Sequence, residues 1–268
     1  MKAWIISDLH VHSTRLPDDF VIPEADVCLC AGDVSGIIEM SLDFLSRHIA
    51  PRMPVVMVLG NHDYYGTTIA EALKVAKHGS NDAIRILENE TLVLGEVRII
   101  GATLWTDFEI EYGVEGSELP LPERKAHAVG VCKRYMTDFH AIFRSDWHDQ
   151  GMPGLLTAKE LTDRHTESRE FIITELAKSF DGRTVVLSHH APLPRSLHPR
   201  FKGHPSNAAF ASNLSGIVHW GRPDLWIHGH VHHFLHYREG ETWVLCNPHG
   251  YRHERPHTGF IPGLVIDI

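Results

Sequence analysis

No apolar run in the 268-residue chain approaches the ~18 residues a membrane-spanning helix needs, so no membrane segment is predicted. The apolar stretch at the start, Ala3-Trp4-Ile5-Ile6 after a single Lys, is too short for a secretory signal and is predicted to form the first strand. Cysteine is scarce: four residues, none in C-x-x-C spacing. That excludes a zinc knuckle or a redox pair and predicts buried free thiols in a reducing, cytoplasmic setting. Positive charge is also in deficit, 25 Lys+Arg against 34 Asp+Glu for a formal charge of −9. A protein that neutralises many phosphates of a long nucleic acid would be basic, so that partner is not expected. Internal repeats, low-complexity segments and Gly/Ser linkers are missing, which predicts one domain over residues 1–268. There is no G-x-S-x-G elbow, and with it no sign of a serine nucleophile.

Histidine, by contrast, is abundant, with 22 copies, 13 of them after residue 188. It is the commonest metal ligand. Hydrophobic residues make up 43% of the chain and charged residues 22%, enough for a sizeable core and too apolar for disorder.

Short β-branched runs alternate with helical patterns. Strands are expected at 3–7, 26–31, 55–59, 97–101, 184–188, 225–228, 243–246 and 264–268. Cys28 and Cys30, two apart, should share one strand face. Thr68 with Glu71 and Thr157 with Glu160 read as capping boxes that open helices. The second is followed by an apolar stripe of Leu161, Ile172, Leu176 and Phe180. Further helices are expected over 207–218 and over 37–50, the latter ended by Pro51. Residues 105–123 hold Asp107, Glu109, Glu111, Glu115, Glu118 and Glu123 with no Lys or Arg. They read as an acidic loop, part of a lid or insertion around 105–155.

Five blocks share one design, an apolar strand followed at once by metal-capable side chains. They are Ile6-Ser7-Asp8-Leu9-His10, Ala31-Gly32-Asp33, Leu59-Gly60-Asn61-His62-Asp63, Leu187-Ser188-His189-His190 and Ile227-His228-Gly229-His230-Val231-His232. Ligands bind beyond the carboxyl ends of strands in open α/β sheets, so the five tips are expected to converge. In extended chain, residues i and i+2 point the same way, which would bring Asp8 with His10, and His230 with His232, onto one ion. Asp33 stands alone on its loop and is the candidate bridge between two ions. Mixed nitrogen and oxygen donors with no thiolate favour Mn, Fe, Co, Ni or Zn over Ca or Mg. Each block alone has an ordinary reading as a turn or a surface histidine; five in one order at strand ends do not arise readily by chance.

The series Asp-x-His, Gly-Asp, Gly-Asn-His-Asp, strand-end His and Gly-His-x-His resembles the calcineurin-like metallophosphoesterases, from Asp8 to His232. The resemblance implies a β-sandwich flanked by helices, the four-layer αββα architecture. It implies one metal on Asp8, His10, Asp33 and His232, and a second on Asp33, Asn61, His189 and His230. His190 is the alternative to His189, which is preferred as the first His past its strand; His228 and His233 fall outside the motif. His62 would act beside the metals as general acid, oriented by Asp63. The implied chemistry is in-line attack on phosphorus by a hydroxide bridging two transition-metal ions, Mn, Fe or Zn. The implied substrate is a small phosphodiester, phosphomonoester or nucleotide, with a phosphoprotein left open. The competing readings are a non-catalytic module on the same fold and a metallohydrolase of non-phosphate esters. Arg195, His198, Arg200, Lys202 and His204 form a local basic loop, read either as a grip on a second phosphate or as a solubilising surface.

Overall fold

The computed structural model describes residues 1–14, 16, 20–113, 118–144 and 154–268. Eleven strands lie among them: β1 Lys2–Ile6, β2 Val27–Cys30, β3 Val55–Met57, β4 Ile84–Ile86, β5 Glu90–Leu94, β6 Val97–Ala102, β7 Arg183–Ser188, β8 Leu225–His228, β9 Leu235–Glu239, β10 Thr242–Cys246 and β11 Val265–Asp267. The helices are α1 Ile38–Phe44, α2 Ile69–Gly79, α3 Leu121–Tyr135, α4 Asp138–Ala141, α5 Ala158–Leu176, α6 Ser215–Gly221 and α7 Arg255–Thr258.

The strands form two mixed sheets, ordered β11-β1-β2-β3-β4 and β5-β6-β7-β8-β10-β9. Alternation along each strand divides the core. Ala3, Ile5, Val27 and Leu29 face the second sheet and pack with Ile99, Val185, Leu187 and Ile227. Trp4, Ile6, Cys28 and Cys30 face outward, onto Ile38, Ile69, Ala72 and Ala76 of α1 and α2. Val186, Trp226 and Val244 do the same on the second sheet, against Ile172 of α5 and Ile217 of α6. The order helix, sheet, sheet, helix is the expected four-layer architecture. Cys28 and Cys30 share a face as expected, and all four cysteines are free and buried. No helix among the described residues is long and apolar enough to cross a membrane.

All eight expected strands are present, and both threonines cap their helices: Thr68 and Thr157 accept the backbone N–H groups of Glu71 and Glu160. The three unexpected strands, β4, β5 and β9, are sheet edges. Edge strands are half exposed and carry polar residues, so they lack the apolar run that marked the others. The helix expected over 207–218 is two pieces. A 3₁₀ turn at Pro205–Ala209 and helix α6 are separated by an extended stretch, because Ala211 pairs with Ala191 in a parallel bridge. Phe180 lies past the end of α5 rather than on its stripe.

The acidic stretch is anchored. Trp105, Phe108, Ile110 and Tyr112 are buried in the outer core of the first sheet. Glu109 pairs with Lys125 of α3 at 3.0 Å and Glu111 with Arg124 at 3.8 Å. Glu115 and residues 145–153 of the expected insertion lie outside the described residues.

Candidate metal centre

The five blocks converge. Asp8 and His10 follow β1, Asp33 follows β2, and Asn61, His62 and Asp63 form the 3₁₀ turn after β3. These strands are adjacent in the first sheet. His189 follows β7, and His230 and His232 follow β8, neighbours in the second. The site therefore straddles the carboxyl ends of both sheets. Asp8 N–H donates to Gly32 O at 3.0 Å and His10 N–H to Asp33 O at 3.1 Å, which ties the first two loops together.

Three overlapping groups of donor atoms could each hold an ion: Asp8, His10 and His232; His10, Asp33 and His62; and Asp8, Asp33 and His189. Asp33 Oδ2 lies 3.6 Å from His189 Nε2, 3.9 Å from His10 Nε2 and 4.0 Å from His62 Nε2. Asn61 Oδ1 sits 2.9 Å from His189 Nε2. His189, not His190, thus reaches Asp33 and Asn61; the His190 Nδ1 turns to Thr103 O at 3.2 Å. His230 belongs to none of the three groups, though its Nε2 is buried without a hydrogen-bond partner and its ring lines the same cavity. His228 is buried, belongs to none of the three groups, and places its Nε2 on Ser196 Oγ at 2.9 Å.

The local geometry differs from the expectation. Asp8, His10, Asp33, His230 and His232 all take positive φ, between 45° and 66°. The chain leaves β1, β2 and β8 by left-handed turns instead of continuing extended, so Asp8 and His10 meet by a tight turn rather than by strand alternation. Left-handed geometry in non-glycine residues costs ~1–2 kcal/mol each, the kind of strain that sites store. Close approach also dictates the glycines. A Cβ on Gly60 would stand 2.1 Å from Asp33 Oδ1, and one on Gly32, at φ +90°, 2.5 Å from Gly60 N.

Asp63 does not orient His62, as the resemblance implied. Its Oδ2 accepts from Gly60 N–H at 2.9 Å and Asp33 N–H at 3.2 Å, and its Oδ1 from the Ser41 hydroxyl at 2.6 Å. The carboxylate is directed at these three donors, and none of its hydrogen bonds goes to the imidazole. His62 Nε2 instead meets Tyr251 OH at 2.8 Å, while its Nδ1 is buried without a partner.

Sequence reasoning missed two further carboxylates. Glu254 Oε2 accepts from His232 Nδ1 at 2.6 Å and so aims Nε2 at the site. Asp138 Oδ1, on α4, accepts from Asn61 Nδ2 and from Tyr65 OH, each at 2.7 Å, and turns the Asn61 carbonyl oxygen inward. Neither follows from spacing within a motif. Tyr251 lies in the run Asn247-Pro248-His249-Gly250-Tyr251-Arg252-His253 that follows β10.

The electrostatics call for cations. Burial and the Asp8 and Asp63 charges push the Asp33 carboxyl well above the usual carboxylate range. Burial pushes Asp8 up as well, but the hydrogen bond and charge of His232 outweigh it and hold Asp8 well below. Burial opposes the charge on His232, yet Asp8 and Glu254 raise it to about 9. The charge on His232 thus offsets that of Asp8 and Glu254. His189 donates through Nδ1 to Ala31 O at 2.7 Å, which leaves the Nε2 lone pair facing the Asn61 oxygen. His10 Nε2 and His232 Nε2 face each other at 3.1 Å. Acceptors converging in this way on buried anions fit transition-metal ions.

A family model described as calcineurin-like phosphoesterase matches residues 1–234. No curated protein sequence matches the chain. Among solved structures, the phosphopantetheinyl hydrolase from Mycobacterium tuberculosis is similar at 19% identity, with 94% of this chain and 90% of that chain covered and a TM-score of 0.71. A protein of Thermus thermophilus is similar at 13% identity over 92% of this chain and 88% of its own, with a TM-score of 0.48. At such identities the first likeness speaks to the fold, and the second carries no argument.

Proposed function

The chain belongs to the calcineurin-like phosphoesterase family, and from that premise we propose that it is a two-metal hydrolase of small phosphoesters. The observation that carries the reading is Asp33, whose Oδ2 lies 3.9 Å from His10 Nε2, assigned to one ion, and 3.6 Å from His189 Nε2, assigned to the other. Asp8, His10, Asp33 and His232 would hold one ion, and Asp33, Asn61, His189 and His230 the other. Once bound, two ions of Mn, Fe or Zn would draw charge from the phosphoryl oxygens and lower the pKa of a water.

The protein's own side chains do the rest. Asp33 would be shared by both ions, since its Oδ2 faces His10 and His189 while its Oδ1 accepts the His62 backbone N–H. Asp63 holds the Gly60 and Asp33 loops in register through two of the hydrogen bonds described above and ties them to α1 through the third, from Ser41. His62 Nε2, beside Asp33 at the cavity wall, is placed to give its proton to the leaving oxygen. The cytoplasmic placement rests on the four free, buried thiols.

Saturation with Mn should load two ions per chain by elemental analysis, and the loaded protein should hydrolyse members of a panel of monoesters and diesters; chelation should abolish the activity. Saturation at one ion would overturn the binuclear reading, and two ions with no phosphoester hydrolysed would overturn the enzymatic one. Within the site, His189→Ala is expected to lose one of the two ions while His190→Ala keeps both. The opposite result would move the ligand by one residue.

A further inference from the structure

The cavity that opens on the candidate ligands has two unlike walls. One carries Asp33, Asn61, His62, His230 and His232. The other is built from Tyr135, Met136, Leu197, Phe201 and Phe210. Tyr135 and Phe201 are 67% and 53% exposed, although large apolar side chains at a surface ordinarily turn inward. Phe210 stacks on the His230 imidazole, with centroids 4.4 Å apart, so the apolar wall begins at the donor atoms themselves.

Charge on that wall decides what it suits. Among the described residues no Lys or Arg lines the cavity, while Asp138 and Glu254 do. The basic loop after β7 does not supply the missing charge. Arg195 turns away, onto the Tyr237 ring at 4.4 Å and Glu239 at 3.6 Å. Arg200 lies over the Phe201 ring, 5.6 Å from its centroid, and is not among the lining residues. His198 is the loop's one titratable contribution to the lining. A second phosphate or a carboxylate on the substrate would meet aromatic faces and two anions. Volume agrees with this reading, although the cavity is open to solvent on one side. The cavity measures about 260 Å³. Since a ~150 Å³ apolar cavity holds benzene, there is room for a phosphoryl group and one ring-sized group.

We propose that this cavity selects phosphoesters whose ester group is compact, uncharged and apolar, an aryl group or a short branched alkyl, and that Tyr135 and Phe201 form its specificity wall. The inference rests on the phosphoesterase reading and names its substrate class. Nucleoside polyphosphates and nucleic acid fall outside it.

Aryl leaving groups depart easily on any catalyst, so the test uses binding of phosphonates, which are not hydrolysed. Calorimetry on the Mn-loaded protein would compare methylphosphonate, phenylphosphonate and 2-carboxyethylphosphonate. Methylphosphonate tests the phosphoryl site alone, and the others test the wall. Phenylphosphonate is expected to bind at least tenfold more tightly than methylphosphonate, and the carboxyethyl compound no more tightly than methylphosphonate. Both wall residues are exposed, so the double variant Tyr135→Ala with Phe201→Ala should fold. It should erase the phenyl advantage and leave methylphosphonate binding unchanged. Equal binding of phenyl and methyl compounds, or tightest binding of the carboxyethyl compound, would overturn the inference while the phosphoesterase reading stands. Failure of all three to bind the loaded protein would overturn both.

Discussion

Asp33→Asn is expected to empty both ion positions together. Outer partners of metal ligands typically cost ~10- to 100-fold in metal affinity when removed, and Asp33 is assigned to the ions directly, so the loss at each position should exceed that range. Hydrolysis should fall with the ions. The substitution keeps the side chain's shape and one carbonyl oxygen, so the His62 N–H that now donates to Asp33 Oδ1 at 2.9 Å retains an acceptor. The ion-free protein should gain stability from the same change. Burial and the neighbouring Asp8 and Asp63 charges raise the Asp33 carboxyl above its ordinary value. An acid whose pKa is raised by folding keeps its proton longer in the folded state, so its contribution worsens as pH rises from the unfolded value toward the folded one. At neutral pH, ion-free Asp33→Asn should therefore melt above ion-free wild type. Calorimetric Mn titration and thermal melts in chelator check the two halves. One ion position at wild-type affinity would sink the bridging assignment, and a lower melting temperature without ions would sink the electrostatic account.

His62→Ala should keep both ions and lose activity in proportion to how badly the leaving group needs a proton. General acid catalysis is worth ~10²- to 10⁴-fold, so alkyl esters should show the full loss and p-nitrophenyl esters much less. Burial, and the charges of His12, His189 and His232, hold the free imidazole down to about 3. Its proton must therefore come with the substrate, whose phosphoryl charge supplies the anionic partner that Asp63 does not. Asp63→Asn then belongs to a different class. It disturbs the Gly60 and Asp33 loops and should weaken ion binding, with no dependence on leaving group. Rates across a leaving-group series, with metal content measured for each variant, separate these outcomes. A uniform loss in His62→Ala would mean that the imidazole stabilises the phosphoryl group; loss of an ion would make His62 a ligand, as its place beside His10 and Asp33 allows.

The strand-end blocks were legible because each is local: an apolar strand and its ligands lie within a few residues of one another. The central strands were legible for a related reason, being buried on both faces and hence continuously apolar. What escaped notice depended on distant contacts. Asp138 stands 77 residues from Asn61, and Tyr251 stands 189 from His62. Glu254 is only 22 residues from His232, but β9 and β10 intervene. The His62–Asp63 pairing failed for a physical reason as well. Sequence adjacency says nothing of competing donors, and two loop amides with the Ser41 hydroxyl claim the Asp63 oxygens first. The left-handed turns were equally hidden, since Asp and His carry no glycine-like mark of positive φ.

Asp138 has a wider consequence. It sits on α4, and the chain just beyond is stitched to the segment after Asn61 by Gly66 N–H to Ala141 O at 2.7 Å and Phe143 N–H to Thr67 O at 2.9 Å. The stretch expected as a lid or insertion is thus tied to the scaffold by its own contribution to the site. Exchanging it for the corresponding stretch of a relative, a common route to altered specificity, would remove the acceptor that fixes the Asn61 amide. Such a chimera would fail first in retaining its ions, and a screen that scored turnover alone would misread that failure as a change in substrate preference.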